Sequence, residues 1–378
     1  MRILIAPDSF KECLPAKEVA AAIARGWSRG APTDEVVQVP LADGGEGTTV
    51  ALVESQNGTL HSADVTGPLG DPVTAQYGLV SDGRTAVVEV AEGSGLHHVP
   101  ASRRDAMKAT SRGTGELIKA AMKHRPDTLV MCLGGSATTD GGAGILQALG
   151  ARLLDSHGQE IPSGGAGLAL LSSLDVSPAV KALENTRLVV ACDVSNPLNG
   201  ADGAAAVFGP QKGATSAQVA ELDRNLSRFA DIADKSGYDI RSFPGSGAAG
   251  GIGGMVAGIL GASLKSGIEL VMETVGLETQ MRSADLVITA EGAIDGQSAA
   301  GKTPAGVSAL AGKHGVPVLG LGGKVGSELT ALHELGLTAA FSIVPEPMTL
   351  DEAMRDGQKN LEHCAEQLAR LVHAIRGQ

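Results

Sequence analysis

The sequence predicts an α/β protein in which a Rossmann-like parallel-sheet domain is interrupted by an inserted second, mixed α/β domain. At both ends of the chain, short apolar runs alternate with segments of helical periodicity, which is typical of a parallel sheet. Residues 61–90 instead contain short alternating runs separated by turn residues, which favours an antiparallel sheet. We therefore predict a discontinuous domain of residues 1–58 plus 268–378, an inserted domain of residues 59–267, and an active site in the cleft between them.

Composition and charge exclude several classes of function. The chain has 378 residues, and 30 Lys and Arg against 42 Asp and Glu give a net charge of −12, which argues against nucleic acid or an anionic membrane as a partner. The four cysteines are far apart and form no CxxC pair, so we expect them to be reduced. No apolar stretch reaches the length of a membrane span, and the run after Met1 is too short for a signal peptide. We expect a cytoplasmic protein and leave homo-oligomer formation open.

Glycine is unusually abundant, at 52 of 378 residues, about twice its average usage. The glycines cluster where apolar runs end, at the points where strands would be followed by helices. Glycine lets the backbone approach a ligand closely, and the N-terminus of a helix attracts anions. This placement predicts several loops that contact a ligand.

Acidic residues follow three of the predicted strands. Asp8, Asp43 and Glu291 come after apolar runs, and Glu46 lies in the same glycine-rich segment as Asp43. Because ligands of open α/β sheets bind beyond the carboxyl ends of the strands, we predict that the first three carboxylates converge on one crevice, where they bind Mg²⁺ or accept a proton from a hydroxyl group. Glu46 is a further candidate ligand of Mg²⁺. The alternative is that Asp8 and Asp43 cap the helices that follow them.

A second polar segment, GGSATTDGGAG from Gly134, lies between a predicted strand and a predicted helix. Its hydroxyl residues Ser136, Thr138 and Thr139 are candidates for binding phosphate or a carboxylate near the start of that helix. Asp140 is a candidate metal ligand or base. The alternative is a tight turn without a ligand.

Two further loops supply candidates of the same kind. Asp193 emerges from an apolar strand, with Asn196 in the turn that follows it. Lys212 lies in a loop before a long helix and is a candidate for binding an anion; the alternative is a solvated surface lysine.

Two short motifs suggest nucleotide folds that the context does not support. GQSAAGKT, from Gly296 to Thr303, matches the phosphate-loop pattern, but five residues separate it from the predicted strand and only two further strands follow. The GxGxxG pattern beginning at Gly245 lacks a preceding apolar strand. We predict phosphate chemistry near Lys302 without a true P-loop fold.

Taken together, these segments resemble the class I bacterial glycerate kinases over essentially the whole chain. The matching motifs are Ala6-PDSFK, Pro40-LADGGEGT, Thr66-GPLG, Gly134-GSATTDGGAG, Ala191-CDVSNPL, Phe208-GPQKGA, Pro244-GSGAAGG and Glu291-GAIDGQSAAGKTPAGV. The resemblance implies a two-domain enzyme that phosphorylates D-glycerate with ATP and Mg²⁺ at the 2-hydroxyl, giving 2-phosphoglycerate. The chain departs from the family pattern at Glu12, Cys13 and Ala290, and at Ala293, where the family usually carries an arginine.

For that reaction, lysines neutralise the charge of phosphate or carboxylate, and an aspartate accepts the proton of the glycerate hydroxyl. The candidate lysines are Lys11, Lys212 and Lys302. The candidate bases are Asp193 and Asp295. Ser9 and Gln297 lie in the matching motifs and are candidates for binding substrate or phosphate.

Two functions of other classes stay open at this point. A nicotinamide-dependent hydroxy-acid dehydrogenase would use the Gly245 loop. A non-catalytic regulator that binds small anions would fit the absence of an arginine at position 293.

Overall fold

The structure is a computed structural model, and it describes residues 1–10, 13–42, 45, 47–81, 83–296, 298–299 and 301–376. The strands are β1 (Arg2–Ile5), β2 (Glu35–Gln38), β3 (Thr59–Thr66), β4 (Pro72–Val80), β5 (Thr85–Glu89), β6 (Thr128–Cys132), β7 (Arg152–Leu154), β8 (Ser173–Asp175), β9 (Arg187–Ala191), β10 (Ser263–Lys265), β11 (Leu286–Ile294), β12 (Val318–Val325) and β13 (Leu337–Ser342). The α-helices are α1 (Ala16–Gly30), α2 (Thr48–Ser55), α3 (Val90–Ser94), α4 (Arg112–Met122), α5 (Ala143–Ala148), α6 (Ser177–Leu183), α7 (Ala204–Phe208), α8 (Ser216–Lys235), α9 (Ala248–Gly258), α10 (Gly267–Thr274), α11 (Leu277–Met281), α12 (Thr303–His314), α13 (Thr330–Glu334), α14 (Leu350–Arg355) and α15 (Gly357–Arg376). Short 3-10 helices lie at Leu96–His98, Ala101–Arg103, Gly167–Leu170 and Pro210–Lys212.

The chain folds as two compact units. The first unit combines Met1–Asp43 with Ile268–Gln378, and the second is Gly44–Gly267. The sequence predicts that the first domain segment ends at residue 58, whereas in the structure helix α2 belongs to the second unit. Its residues Thr49 and Val53 lie directly against Gly78 of β4, so closely that a side chain at position 78 would meet them within 3.0 Å.

The first unit contains a five-stranded parallel sheet in the order β13-β12-β11-β1-β2. From β1 the chain passes to β2 on one side, whereas β11, β12 and β13 extend the sheet on the other side. The direction of the strand order therefore reverses between β1 and β11. In open α/β sheets, a ligand crevice forms beyond the carboxyl ends of the strands at such a reversal.

Helices α1 and α15 cover this sheet and pack closely on each other. A β-carbon at Gly26 would lie 2.1 Å from the carbonyl oxygen of Glu362, and one at Gly30 would lie 2.6 Å from that of Glu366. The two glycines, one helical turn apart, let the α15 backbone rest on α1. Val19, Ile23 and Trp27 of α1 are buried in the core on this unit's sheet.

The second unit contains a six-stranded mixed sheet in the order β10-β9-β6-β5-β4-β3. Strands β5, β6, β9 and β10 run parallel to one another, whereas β3, β4 and β5 are joined by antiparallel pairing. Strands β7 and β8 form a separate antiparallel pair. An apolar core, in which Met131, Ile145 and Phe229 are fully buried, lies between this sheet and its helices.

The predicted fold class is confirmed: an α/β chain with a parallel sheet and a second, mixed sheet. Strand β11 is longer than the sequence predicts. It continues to Ile294, five residues beyond the apolar run that predicted it, because β12 pairs with it as far as Val325. None of the helices in the described part of the chain is long and apolar enough to span a membrane.

Candidate functional site

Asp8 lies at the reversal point of the parallel sheet. The pairing between β1 and β11 continues past β1, since the backbone N–H of Asp8 donates to the carbonyl oxygen of Ala290 at 2.8 Å. The Asp8 side chain, in a residue that is 7% exposed, accepts a hydrogen bond at Oδ2 from the Thr303 hydroxyl at 2.6 Å and at Oδ1 from the Ser9 backbone at 2.6 Å. Thr303 begins α12, so Asp8 fixes the start of that helix beside the sheet.

Glu291 lies on β11, the strand next to β1. It is 8% exposed, and its Oε1 accepts a hydrogen bond from Lys302 Nζ at 3.0 Å, which forms an ion pair. Its other oxygen accepts a weaker hydrogen bond from the Ser298 hydroxyl at 3.4 Å. Two carboxylates and one ammonium group are therefore held at the carboxyl ends of β1 and β11 by interactions within the first unit.

A cavity of about 360 Å³, here called the first-unit cavity, opens beside these residues. Ser9, Glu291 and Lys302 line it at the end of the sheet. The remaining wall comes from the segment between β1 and α1, the end of β12, the segment after β13, and α14. Its residues include Phe10, Cys13, Gly323, Lys324, Ile343, Val344, Leu350, Ala353 and Met354.

In the second unit, the loop between β6 and α5 is organised by Asp140. The carboxylate is fully buried and accepts hydrogen bonds from the backbone N–H of Ser111 (2.8 Å), Gly142 (3.1 Å) and Gly144 (3.3 Å), and from the Ser111 hydroxyl (2.8 Å). Burial raises the pKa of the Asp140 carboxyl, and the hydrogen bonds from Ser111, Gly142 and Gly144 oppose that effect. Asp140 thus joins the starts of α4 and α5 and fixes the loop before it.

Lys212 reaches that loop from the short 3-10 helix at Pro210–Lys212. It is only 2% exposed, and its ammonium group donates to the Ser136 hydroxyl at 2.9 Å and to the Thr138 carbonyl oxygen at 2.7 Å. Among the described residues, no carboxylate oxygen lies within 4.0 Å of it. Burial lowers the pKa of Lys212 to about 7, although the negative charge of Asp140 acts in the opposite direction.

Lys212 lines a cavity of about 230 Å³, here called the second-unit cavity. The backbone of Gly134 and Gly135 and the side chain of Ser136 form one wall, and Asp193 forms part of another. Asp193 is exposed at the end of β9, and its Oδ1 accepts a hydrogen bond from the Gly267 backbone at 2.8 Å. A buried cation and an exposed carboxylate therefore face the same small cavity.

The start of α9 completes this cavity with an uncommon backbone. Ala249, Gly250 and Gly251 have φ angles of 50°, 71° and 96°, in the left-handed region. Glycine is required at position 250, where a β-carbon would lie 1.9 Å from the Thr138 carbonyl oxygen that accepts from Lys212. Ala249 lines the cavity in a conformation that costs a non-glycine residue about 1–2 kcal/mol.

The structure brings some of the predicted site residues together and leaves others apart. Ser9, Glu291 and Lys302 share the first-unit cavity, and Ser136, Asp193 and Lys212 share the second-unit cavity. The predicted residues that lie outside the described part of the chain are Lys11, Asp43, Glu46 and Gln297.

Six predicted residues in the described part of the chain do not line either cavity: Asp8, Asp140, Thr138, Thr139, Asn196 and Asp295. Thr138 and Thr139 are fully buried, and their hydroxyl groups have no hydrogen-bond partner among the described residues. Asn196 donates from its amide to the carbonyl oxygen of Asp202 at 2.9 Å and shapes its own turn. Asp295 forms a tight turn with Ser298 after β11.

The structure also decides between alternatives that the sequence left open. Asp8 does not cap a helix, since α1 begins only after Pro15, which makes no side-chain cap. Lys212 is not a solvated surface lysine. Asp140, predicted as a metal ligand or base, has its carboxylate directed to four donors inside the protein, so its role here is to organise the loop.

The two nucleotide-fold motifs lie in contexts unlike those of their families. Because β11 runs to Ile294, Gly296 follows the strand almost at once, and the predicted gap of five residues is wrong. Only β12 and β13 follow in the described chain, as expected, and Lys302 is paired with Glu291. Residues 239–247, all of them described, contain no strand before the glycine-rich start of α9.

Sequence reasoning missed the apolar part of the first-unit cavity. Ile343 and Val344 come immediately after β13, so applying the strand-end rule to this strand as well would have found them. Met354 and Ala353 carry no such signal, because only the tertiary fold brings α14 to that edge. Gln211 and Cys192 line the second-unit cavity and were not predicted, although they are the chain neighbours of the predicted residues Lys212 and Asp193.

Comparison with known proteins identifies the family. The model of the glycerate kinase family matches residues 3–373. A glycerate kinase of Bacillus subtilis (strain 168) is 50% identical over 373 residues, covering 98% of both chains, and a glycerate 2-kinase of Escherichia coli (strain K12) is 47% identical over 370 residues, covering 98% of this chain and 97% of that protein. A crystal structure from Salmonella typhimurium LT2, whose name also refers to a glycerate kinase, has a TM-score of 0.92 at 45% identity, and each chain is covered completely. The chain belongs to the glycerate kinase family.

Proposed function

We propose that the protein transfers the γ-phosphoryl group of ATP to D-glycerate at the 2-hydroxyl, giving 2-phosphoglycerate and ADP. The family and the names of its relatives, one of them a glycerate 2-kinase, support the reaction class and the position of transfer. Cytoplasmic location and homo-oligomer formation stay predictions of the sequence.

The observation that carries this proposal is that Lys212 and Asp193 line the same cavity, the second-unit cavity. A hydroxy acid needs a cation for its carboxylate and a base for its hydroxyl group. Lys212 is a buried cation with neutral partners only, among the described residues, so an anion in the cavity would supply its missing counter-charge. The cavity of about 230 Å³ suits a three-carbon acid.

In the proposed reaction, Lys212 and the Ser136 hydroxyl bind the glycerate carboxylate. Asp193 accepts the proton of the 2-hydroxyl as that oxygen attacks phosphorus. A carboxylate can accept a proton, and Asp193 is an exposed residue at the wall of this cavity. Asp295 stays the second candidate for the base, since it lies in the family motif after β11.

The first unit supplies the groups for the phosphates of ATP. Lys302 offers a positive charge, and Ser9 a hydroxyl group, at the end of the sheet. Asp8 and Glu291 are oxygen donors of the type that Mg²⁺ prefers. Within the described residues, no group of three or more His, Cys, Asp or Glu is arranged around one point.

That donor set fits Mg²⁺ as it is usually bound by kinases, through one or two carboxylates together with water and the phosphates of the substrate. Asp8, which follows β1, and Glu291, on the neighbouring strand β11, would hold it. When bound, the ion neutralises charge on the phosphates.

One assay separates this proposal from the two other classes of function. ADP formation is measured by coupled enzymes with and without D-glycerate, and the product is examined by ³¹P and ¹H NMR. The proposal predicts ADP release that depends on glycerate, and a phosphorus coupling to the proton on C2. Coupling to the C3 protons would show transfer to the 3-hydroxyl, and glycerate binding without ADP release would show a non-catalytic anion binder.

A further inference from the structure

The first-unit cavity is larger than phosphate binding requires, and part of its wall is apolar. Its volume of about 360 Å³ falls within the range of about 300–1,000 Å³ that is typical of sites for cofactors and drug-sized ligands. The apolar wall includes Phe10, Ile343, Val344 and Met354. Phe10 and Ile343 are buried, so this apolar wall is continuous with the core of the unit.

The same cavity also has charged walls. Ser9, Lys302 and Glu291 lie at the reversal point of the sheet, and Lys324 adds a second ammonium group from the end of β12. A ligand that fills the cavity therefore meets both an apolar wall and charged groups, two of them cationic. A triphosphate alone, or a small hydroxy acid alone, has no apolar surface that would match the apolar wall.

Glycine backbone forms the part of the wall beside Phe10. A β-carbon at Gly323 would lie 2.8 Å from the carbonyl oxygen of Gly292 and 3.9 Å from Cε2 of Phe10. No larger residue fits at this position without displacing the neighbouring strand. The absence of a side chain at position 323 leaves the space beside the Phe10 ring open to another ring.

The rim of the cavity carries an apolar side chain that the fold leaves uncovered. Leu350, the first residue of α14, is 74% exposed, the highest fraction among the large exposed apolar residues of the described chain. It lines the same cavity as Met354 of that helix. A bound apolar group would cover part of this surface.

We propose that the first-unit cavity binds the nucleoside of ATP, with the adenine ring against Phe10, Ile343 and Met354 and the phosphates directed to Ser9 and Lys302. The identity of the donor rests on the proposed kinase function, whereas the assignment of the nucleoside to this cavity rests on the geometry above. Glycerate has almost no apolar surface, so it gains little from this wall and is assigned to the second-unit cavity.

The natural cysteines offer a direct test, because each cavity contains one. Cys13 lines the first-unit cavity and Cys192 the second-unit cavity, and both are half-buried free thiols. Cys364 is also half-buried but lines neither cavity, so it serves as an internal reference. The rate at which N-ethylmaleimide labels each thiol is followed by peptide mass spectrometry at mildly alkaline pH.

At a concentration of ATP ten times its Kd and without glycerate, labelling of Cys13 should slow by about tenfold, since about one-tenth of the protein stays free. Adenosine at ten times its own Kd should also slow the labelling of Cys13, and inorganic triphosphate should slow that labelling less. Labelling of Cys364 should not change. The proposal is overturned when ATP leaves Cys13 unaffected, or when triphosphate protects Cys13 and adenosine does not.

A matched pair of variants tests the same assignment without thiol chemistry. Ala353→Phe fills the cavity from α14, whereas Asp351→Phe adds the same ring to an exposed position of that helix outside the cavity. We expect Ala353→Phe to weaken ATP binding, measured by calorimetry, by about tenfold or more, which corresponds to about 1.4 kcal/mol. The Kd for glycerate should stay the same in both variants, and equal ATP binding in the two variants would contradict the assignment.

Failure of this inference and failure of the kinase proposal give different results. When the wild-type protein phosphorylates glycerate but ATP does not protect Cys13, the function stands and the nucleoside lies elsewhere. When ATP protects Cys13 but no glycerate-dependent ADP appears, the cavity assignment stands and the proposed reaction is wrong.

Discussion

The ammonium nitrogen of Lys212 lies 2.9 Å from the hydroxyl oxygen of Ser136, in a lysine that is 2% exposed. Its other partner is a backbone carbonyl oxygen, that of Thr138. A buried ammonium group with neutral partners costs free energy unless a counter-charge is supplied. A bound carboxylate supplies that charge in the proposed reaction, so the fold maintains a costly group where the substrate needs it.

Replacing Lys212 with Met should raise KM for glycerate by about 10- to 150-fold, since a hydrogen bond to a charged group contributes about 1.5–3 kcal/mol. We expect kcat to change little, because the carboxylate does not react. Thermal stability should hold or rise, since the variant no longer buries a charge. Lys313→Met, which removes an exposed lysine on α12, is the matched control and should leave KM unchanged.

The pH dependence of glycerate binding should follow the protonation of Lys212. Burial lowers the pKa of this lysine to about 7, and only the protonated form binds an anion. The kcat/KM for glycerate should therefore be level below about pH 7 and fall about tenfold for each pH unit above it. Asp140, whose charge raises the pKa of Lys212, and Asp193, which lines the same cavity, are kept unchanged in every variant compared. If kcat/KM of the Lys212→Met variant still falls above about pH 7, the pH effect belongs to another group.

The fold could be predicted from this sequence because its signals are local. The apolar run of β1, the helical periodicity of α1 and the turn residues of the β3–β5 hairpin each specify an element without reference to the rest of the chain. The extension of β11 to Ile294 could not be predicted in this way. Residues 290–294 lack a continuous apolar pattern, and their strand conformation comes from pairing with β12.

The candidate site was predictable only where chemistry and strand ends coincide. Asp8, Glu291 and Asp193 carry polar groups at such positions; the structure places Asp8 just beyond the end of β1, Glu291 beside the first-unit cavity and Asp193 beside the second-unit cavity. The buried state of Lys212 was not predictable, because its loop has no apolar pattern and its burial depends on the β6–α5 loop and α9. The need for glycine at position 250 could not be predicted either, because it follows from the close contact of this residue with Thr138 in the folded protein.

Asp193→Asn should lower kcat by about 10²- to 10⁴-fold, the usual contribution of a positioned base, with little change in the KM for ATP. The amide keeps the size of the side chain and cannot accept the hydroxyl proton. Asp295→Asn is the matched comparison, and steady-state rates of ADP formation measure both. A larger loss of kcat in Asp295→Asn than in Asp193→Asn would move the base to the first unit.

Thr303→Val should destabilise the protein by about 1–3 kcal/mol, because it removes the hydroxyl that donates to the buried Asp8 carboxylate at 2.6 Å. Thr303→Ser keeps that donor and should recover most of the loss. Urea unfolding at equilibrium measures both variants. Equal stability of Val and Ser at this position would mean that another donor satisfies Asp8.

Asp34 provides a test of pH-dependent stability away from either cavity. Its side chain is fully buried and accepts hydrogen bonds from the Met1 amino group (2.8 Å), Trp27 Nε1 (2.9 Å) and His373 Nε2 (2.9 Å). Burial alone would raise the pKa of Asp34, but the hydrogen bonds from Met1, His373 and Trp27 outweigh it and hold the pKa below its usual value. The contribution of the carboxylate to stability is therefore present above the unfolded pKa of about 3.9 and is lost as the pH falls through the lower folded value.

Asp34→Asn should consequently lower the free energy of unfolding by about 1–3 kcal/mol at neutral pH. The difference from the wild type should narrow below about pH 4, where the wild-type carboxylate becomes protonated. Urea unfolding at a series of pH values measures this, with Asp351→Asn as the control because its carboxylate is exposed on α14. A difference that stays constant from neutral pH to pH values well below about 4 would show that the ionised state of Asp34 contributes nothing and that only its shape matters.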